Sequence, residues 1–174
     1  MRRGFWFLLL LGCATPDAPA PYHHDPPPAP ASARPDPVLA SAEAALARRD
    51  VAGAREDLER GRWFADDRAR AALLLCGCLL LEGRTADAVA ALRQYLEKTT
   101  QARNPRDRIA LRLLRHHASG GGLAAKGPEE ACYFGLYALK ALGEPETARP
   151  DLERASREAP EPERLLAKIA LDPG

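Results

Sequence analysis

The chain has 174 residues, 46% of them apolar and 6% aromatic, with 25 basic side chains against 24 acidic ones for a formal charge of +1. That length allows one ordinary domain with appendages. So even a balance supplies no field to gather nucleic acid or an anionic membrane surface, and nucleic-acid binding drops out of the readings.

The apolar fraction is mostly Ala and Leu, with Arg and Glu among the polar residues and few Val, Ile or Thr. These are good helix formers that lose little rotamer freedom in a helix, and all-α is the class they favour. Residues 1–12 start with Arg2-Arg3 and continue as an apolar run to Leu11. The run is too short to cross a bilayer and reads as an export signal. Leu10-Leu11-Gly12-Cys13 then resembles the lipobox of bacterial lipoproteins. The resemblance implies that Cys13 becomes the lipidated first residue of the mature chain. Ala14, rather than an acid, implies an outer-membrane lipoprotein facing the periplasm. At about 0.8 kcal/mol per buried methylene, more than one acyl chain makes a lasting anchor. Loss of Arg2 and Arg3 with the signal leaves 23 basic residues against 24 acidic.

Residues 13–37 hold nine of the 16 prolines. Proline fixes φ and lacks an amide donor, so this stretch is expected to be an extended, disordered tether reaching at most about 70 Å. His23-His24 lies inside it without a further fixed ligand type, and no metal site is expected there.

A helical domain is expected over 38–174. Val38, Ala42, Ala45 and Leu46 share one helix face, and Val51, Ala54 and Leu58 another, with Gly61 as a stop. Asp66 or Asp67 can cap the next helix. Leu73 to Leu81 is apolar all round, the mark of a helix enclosed by neighbours. Gly83 ends it, Thr85 is the expected cap of the following helix, and Ala88, Leu92 and Tyr95 form that helix's inner stripe. Asn104-Pro105 starts a further helix with Ile109, Leu113 and Leu114 on its apolar side. His116-His117 sits at that helix's carbonyl end, where cations are favourable. The Gly120–Gly122 run then reads as a mobile loop. Gly127-Pro128-Glu129-Glu130 opens another helix with proline in the first turn. Residues 161–171 form a short amphipathic helix suited to cap an array.

The layout of Ala69 to Ala102 recurs at a spacing of 34 residues, which resembles the tetratricopeptide-repeat family. Ala72, Leu75, Cys76 and Leu79 stand at the family's first-helix packing positions. Gly83 stands at the turn, Ala88 at the close crossing, and Leu92 and Tyr95 behind it. In the earlier copy the equivalents are Val38, Ser41, Ala42, Ala45, Arg49, Ala54, Leu58 and Gly61. In the later copy they are Cys132, Gly135, Leu136, Leu139, Gly143, Ala148, Leu152 and Ala155, closed by Pro160. Arg49 replaces the turn glycine in the first copy, and Pro150 falls within the second helix of the third. The resemblance implies about three degenerate repeats plus an extra helix and a C-terminal cap. It also implies a groove for an envelope protein or peptide, lined by Leu39, Glu43 and Leu46, then Leu73, Gly77 and Leu80, then Tyr133, Tyr137 and Lys140.

No phosphate loop, nucleophile elbow, HExxH or Cys-x-x-Cys occurs, so neither an enzyme nor a cofactor is expected. Cys76 and Cys78 point to nearly opposite sides of one helix and cannot bridge each other. A Cys76–Cys132 bridge would need adjacent first helices, which the helix at 104–118 is expected to separate. All three therefore read as small buried hydrophobes, a disulfide being the alternative an oxidising periplasm permits. The functional expectation is a lipid-anchored assembly scaffold working through the groove. The alternatives are a structural spacer with no groove ligand, or an accessory to a cell-wall enzyme.

Overall fold

The computed structural model describes residues 36–99 and 104–172. Cys13, the export signal, the proline-rich stretch before Asp36 and His23-His24 lie outside the described residues. Among the described residues there are eight helices and no β-strand, so the protein is all-α.

Four of the eight helices begin where a side chain occupies their free amide groups. Helix α1 (Pro37–Ala47) is capped by Asp36, whose carboxylate accepts from the Val38 and Leu39 amides at 2.9 and 3.3 Å. Asp50 caps α2 (Val51–Gly61) through the Gly53 amide at 2.8 Å, and Asp67 caps α3 (Arg68–Leu81) through Arg70 at 3.0 Å. Helix α4 (Thr85–Lys98) has no side-chain cap, because Thr85 is already helical and Arg84 holds the cap position. Asn104 and Asp107 form a reciprocal capping box on α5 (Pro105–Ala118). Helix α6 (Pro128–Tyr137) runs directly into a π-helical turn, Ala138–Leu142. Helix α7 (Pro145–Glu158) contains Pro150 in its interior rather than its first turn, where its missing amide costs least on the exposed side that Pro150 occupies. A cis Glu161–Pro162 peptide precedes α8 (Glu163–Leu171).

Helices α1 and α2, α3 and α4, and α6 and α7 pack as hairpins, an arrangement compatible with a helical-repeat array. Every residue from Ala71 to Leu80 on α3 is buried, since α2, α4, α5, α6 and α8 all pack against it. A fully buried Leu contributes roughly 1.5–3 kcal/mol, and α3 alone supplies five of them below 4% exposure. Helix α5 is tied to α4 by the Tyr95 hydroxyl, which donates to buried Asp107 at 2.5 Å. Burial, and then that bond, push the Tyr95 phenol up to about 12.

The three hairpin turns carry the register. Gly83 and Gly143 adopt φ of 76° and 69°, and Arg49, at the equivalent position of the first hairpin, adopts 60°. A side chain costs about 1–2 kcal/mol in that left-handed region, and at Arg49 the chain tolerates it. Nothing lies within 4 Å of a Cβ built on Gly83 or Gly143, so the penalty there is purely conformational. Gly83→Ala and Gly143→Ala are each expected to lower unfolding free energy by about 1 kcal/mol, while Arg49→Gly is expected to be about 1 kcal/mol more stable than Arg49→Ala, both of which lose the same exposed pair with Asp172. Urea denaturation of the four variants checks this, and no difference between the two Arg49 variants would show that the turns are not equivalent.

Candidate functional site

The face expected to bind a partner is occupied by the chain itself. Helix α8 packs against α1, α3 and α6, the three first helices, as well as against its neighbour α7. Leu39, Leu46, Leu73, Gly77, Leu80, Tyr133 and Tyr137 are buried, Glu43 is half-buried, and of the set only Lys140 is exposed. This corrects the expected groove, whose positions are covered from within the chain, Gly77 and Tyr133 by α8 and Tyr137 by His116 and His117 of α5. Helix α8 packs chiefly on α7 and α6, as a terminal cap does, and reaches α3 and α1 as well.

A buried ion pair fixes that seat. Glu163, fully enclosed at the start of α8, accepts from Arg70 of α3 at 3.1 Å and from the Tyr133 hydroxyl of α6 at 3.1 Å. Arg70 also donates to the Glu161 carbonyl, so one guanidinium holds the turn and the first residue of α8 together. Cys132 donates its thiol to the Glu163 carbonyl at 3.2 Å. Burial pushes the Tyr133 hydroxyl well above its ordinary range, with the Glu163 charge adding to the effect. Leu166 of α8 sits where a Cβ on Gly77 would fall, 2.7 Å from it, so the glycine gives α8 its close approach.

The cysteines belong to this interior. Cys76, Cys78 and Cys132 are free and buried, and burial raises each thiol, Cys78 to about 12. Helices α3 and α6 do touch, contrary to the expected separation by α5, because α5 packs on α4 and on the flank of α3 instead of between them.

The remaining concavity lies elsewhere. A cleft of ≈ 290 Å³ opens between the end of α5, the glycine turn after it, the π-helical turn and α7, and His116, Leu123, Phe134, Leu142, Glu144 and Asp151 are among its walls. Three hydrogen bonds hold the turn over it. Arg112 donates to the Ala124 carbonyl at 2.7 Å, Lys126 N–H to Glu130 at 2.6 Å and Leu123 N–H to His116 Nδ1 at 3.2 Å. Gly120, Gly121 and Gly122 make this path possible, with φ of 69°, 105° and 86°. His116 is not the solvated helix-end cation expected from its position. It is 5% exposed and stacks on Phe134 with ring centroids 4.7 Å apart. Burial holds its pKa below the ordinary histidine value, with the charges of Asp151 and Glu144 pulling the other way. His117 instead bonds Tyr137, its Nδ1 lying 2.7 Å from the hydroxyl.

The sequence signalled His116 only as half of a histidine pair. Leu142 reaches the cleft through a π-helical turn that breaks the regular helical period, and Phe134 and Asp151 carry no sequence signal of their own. No metal-binding group of three or more His, Cys, Asp or Glu exists among the described residues. None of their helices is long and apolar enough to cross a membrane. Comparison with family models, with curated proteins and with solved structures returned no match.

Proposed function

We propose that this chain is a lipid-anchored helical-repeat scaffold of the bacterial envelope, of tetratricopeptide-like construction, that has no vacant groove on its first-helix face. The observation that supports this reading best is the position of α8 across α1, α3 and α6, which leaves partner contacts to the outside of the array. The lipobox-like Leu10–Cys13 supports an anchor at Cys13, and the proline-rich stretch supports a tether between anchor and domain. Anchoring raises the effective concentration of a partner on the same membrane, so modest contacts on an outer face suffice for assembly. The reaction it contributes is association, and the partner is an envelope protein or peptide.

Two measurements test it together. The full chain is expected in the membrane fraction, with Cys13→Ala released from it. The detergent-extracted native chain is expected to run as a complex well above its 18.9 kDa monomer mass. A chain that stays with membranes as the Cys13→Ala variant removes the anchor. A chain extracted as a bare monomer with no co-extracted protein removes the scaffold.

A further inference from the structure

We propose that the cleft beside His116 is a binding site for a basic peptide side chain, a lysine or arginine of the partner; this rests on the scaffold reading and names the chemistry of its contact. The His116 ring forms one wall of the cleft. Its Nδ1 accepts from the Leu123 amide, so in the neutral ring Nε2 carries the hydrogen. That Nε2–H is buried and has no partner. Buried donors nearly always find an acceptor, and the ring that carries this one lines a cleft with room for it.

The charges around the ring specify the rest. Glu144 and Asp151 line the same cleft, and among the described residues neither carboxylate makes an ion pair or a side-chain hydrogen bond. The cations near them, Arg154 whose charge reaches Asp151 and Arg112 over the Phe134 ring, each have another partner. Arg112 pairs with Glu130 at 2.8 Å while holding the Ala124 carbonyl, and Arg154 lies 3.5 Å from Glu158. The floor, Phe134, Ala138 and Leu142, is apolar. An occupant must therefore bring an apolar stem, a carbonyl oxygen for His116 and a positive charge for the two acids. A lysine or arginine within a peptide carries all three. An anion is repelled by the two acids, and a neutral apolar group leaves the imidazole N–H and half-buried Asp151 unanswered, exposed Glu144 being solvated already.

The backbone points the same way. The wall that Ala138 and Leu142 supply is a π-helical turn, a rare local geometry that concentrates at functional sites. At ≈ 290 Å³ the cleft is sized for one side chain rather than a whole cofactor.

The test is an NMR titration of the isotope-labelled full chain in detergent with N-acetyl-lysine-N-methylamide, and with its uncharged norleucine counterpart as control. The lysine probe is expected to shift the His116 Nε2–H and Leu123 amide signals saturably, and the norleucine probe to bind about tenfold more weakly or worse. The pair Glu144→Gln and Asp151→Asn is expected to lower lysine affinity by about tenfold while the spectrum stays dispersed. The norleucine comparison needs no variant and decides the charge requirement by itself. No saturable shift, equal binding of both probes, or a ring protonated at Nδ1 overturns the proposal. If the probe fails while the native complex is still co-extracted, the cleft is wrong and the scaffold stands. If the probe binds as expected and the extracted chain is a bare monomer, the cleft chemistry holds and the scaffold does not.

Discussion

Glu163→Ala is expected to lower unfolding free energy by about 3–5 kcal/mol, the loss typical of breaking a buried ion pair from one side. The reason is what remains behind. Arg70 is only 19% exposed at its side chain and Glu163 not at all, so solvent cannot replace the lost partner. The Tyr133 hydroxyl, inside the same interface, also loses its acceptor. For a domain of this size the shift in thermal midpoint is of order 10–20 °C. Replacing the whole group with apolar residues, Arg70→Met, Tyr133→Phe and Glu163→Leu together, is expected to recover most of that loss, because no charge or hydroxyl is then left unpaired. Thermal and urea denaturation of the two variants decide the matter. A Glu163→Ala protein within 1 kcal/mol of the parent would mean that α8 is not held where the structure places it.

Gly135→Val is expected to cost about 3 kcal/mol, at the upper end of ordinary overpacking. A Cβ on Gly135 would lie 2.7 Å from Leu152 Cγ and 3.2 Å from the Ala148 carbonyl oxygen. Neither is the free end of a flexible side chain, so α6 and α7 must move apart where they cross. Gly77 supplies the contrast. Its Cβ would meet chiefly the terminal Cδ1 of Leu166, which can rotate away. Alanine also gains roughly 1 kcal/mol over glycine in a helix interior. Gly77→Ala is therefore expected to stay within about 1 kcal/mol of the parent. Denaturant unfolding separates the two, and a Gly77 variant as damaged as Gly135→Val would place α8 more rigidly than this packing implies.

Much of the fold was legible in local chemistry. Asp67, Asn104 and the Gly127-Pro128 pair announced their helix starts, and the unbroken apolar run of α3 announced a central helix. The turn positions Arg49, Gly83 and Gly143 were aligned by spacing, and they share one backbone conformation although one of them is arginine. What spacing does not encode is which face another part of the chain will cover. The amphipathic pattern of 161–171 says that one side is buried, and it says nothing about whether the cover is the end of the array or its first-helix face. Tyr133 reads as a surface anchor by residue type alone. Only the pairing of Arg70 with Glu163, 93 positions apart, shows it to be an interior hydrogen-bond donor. The cleft was hidden for a related reason, since an extra residue per turn at Ala138–Leu142 shifts the register that sequence periodicity assumes.

The seat of α8 across the first helices is read directly by native-state thiol labelling. Cys132 lies beneath α8, its thiol on the Glu163 carbonyl, while Cys76 and Cys78 are on the enclosed α3. In the full chain, with labelled sites resolved by peptide mass spectrometry, Cys132 is expected to react as slowly as Cys76 and Cys78, and only with global unfolding. Labelling of Cys132 in native buffer while Cys76 and Cys78 stay protected would show α8 leaving its place, and a groove open to a partner after all.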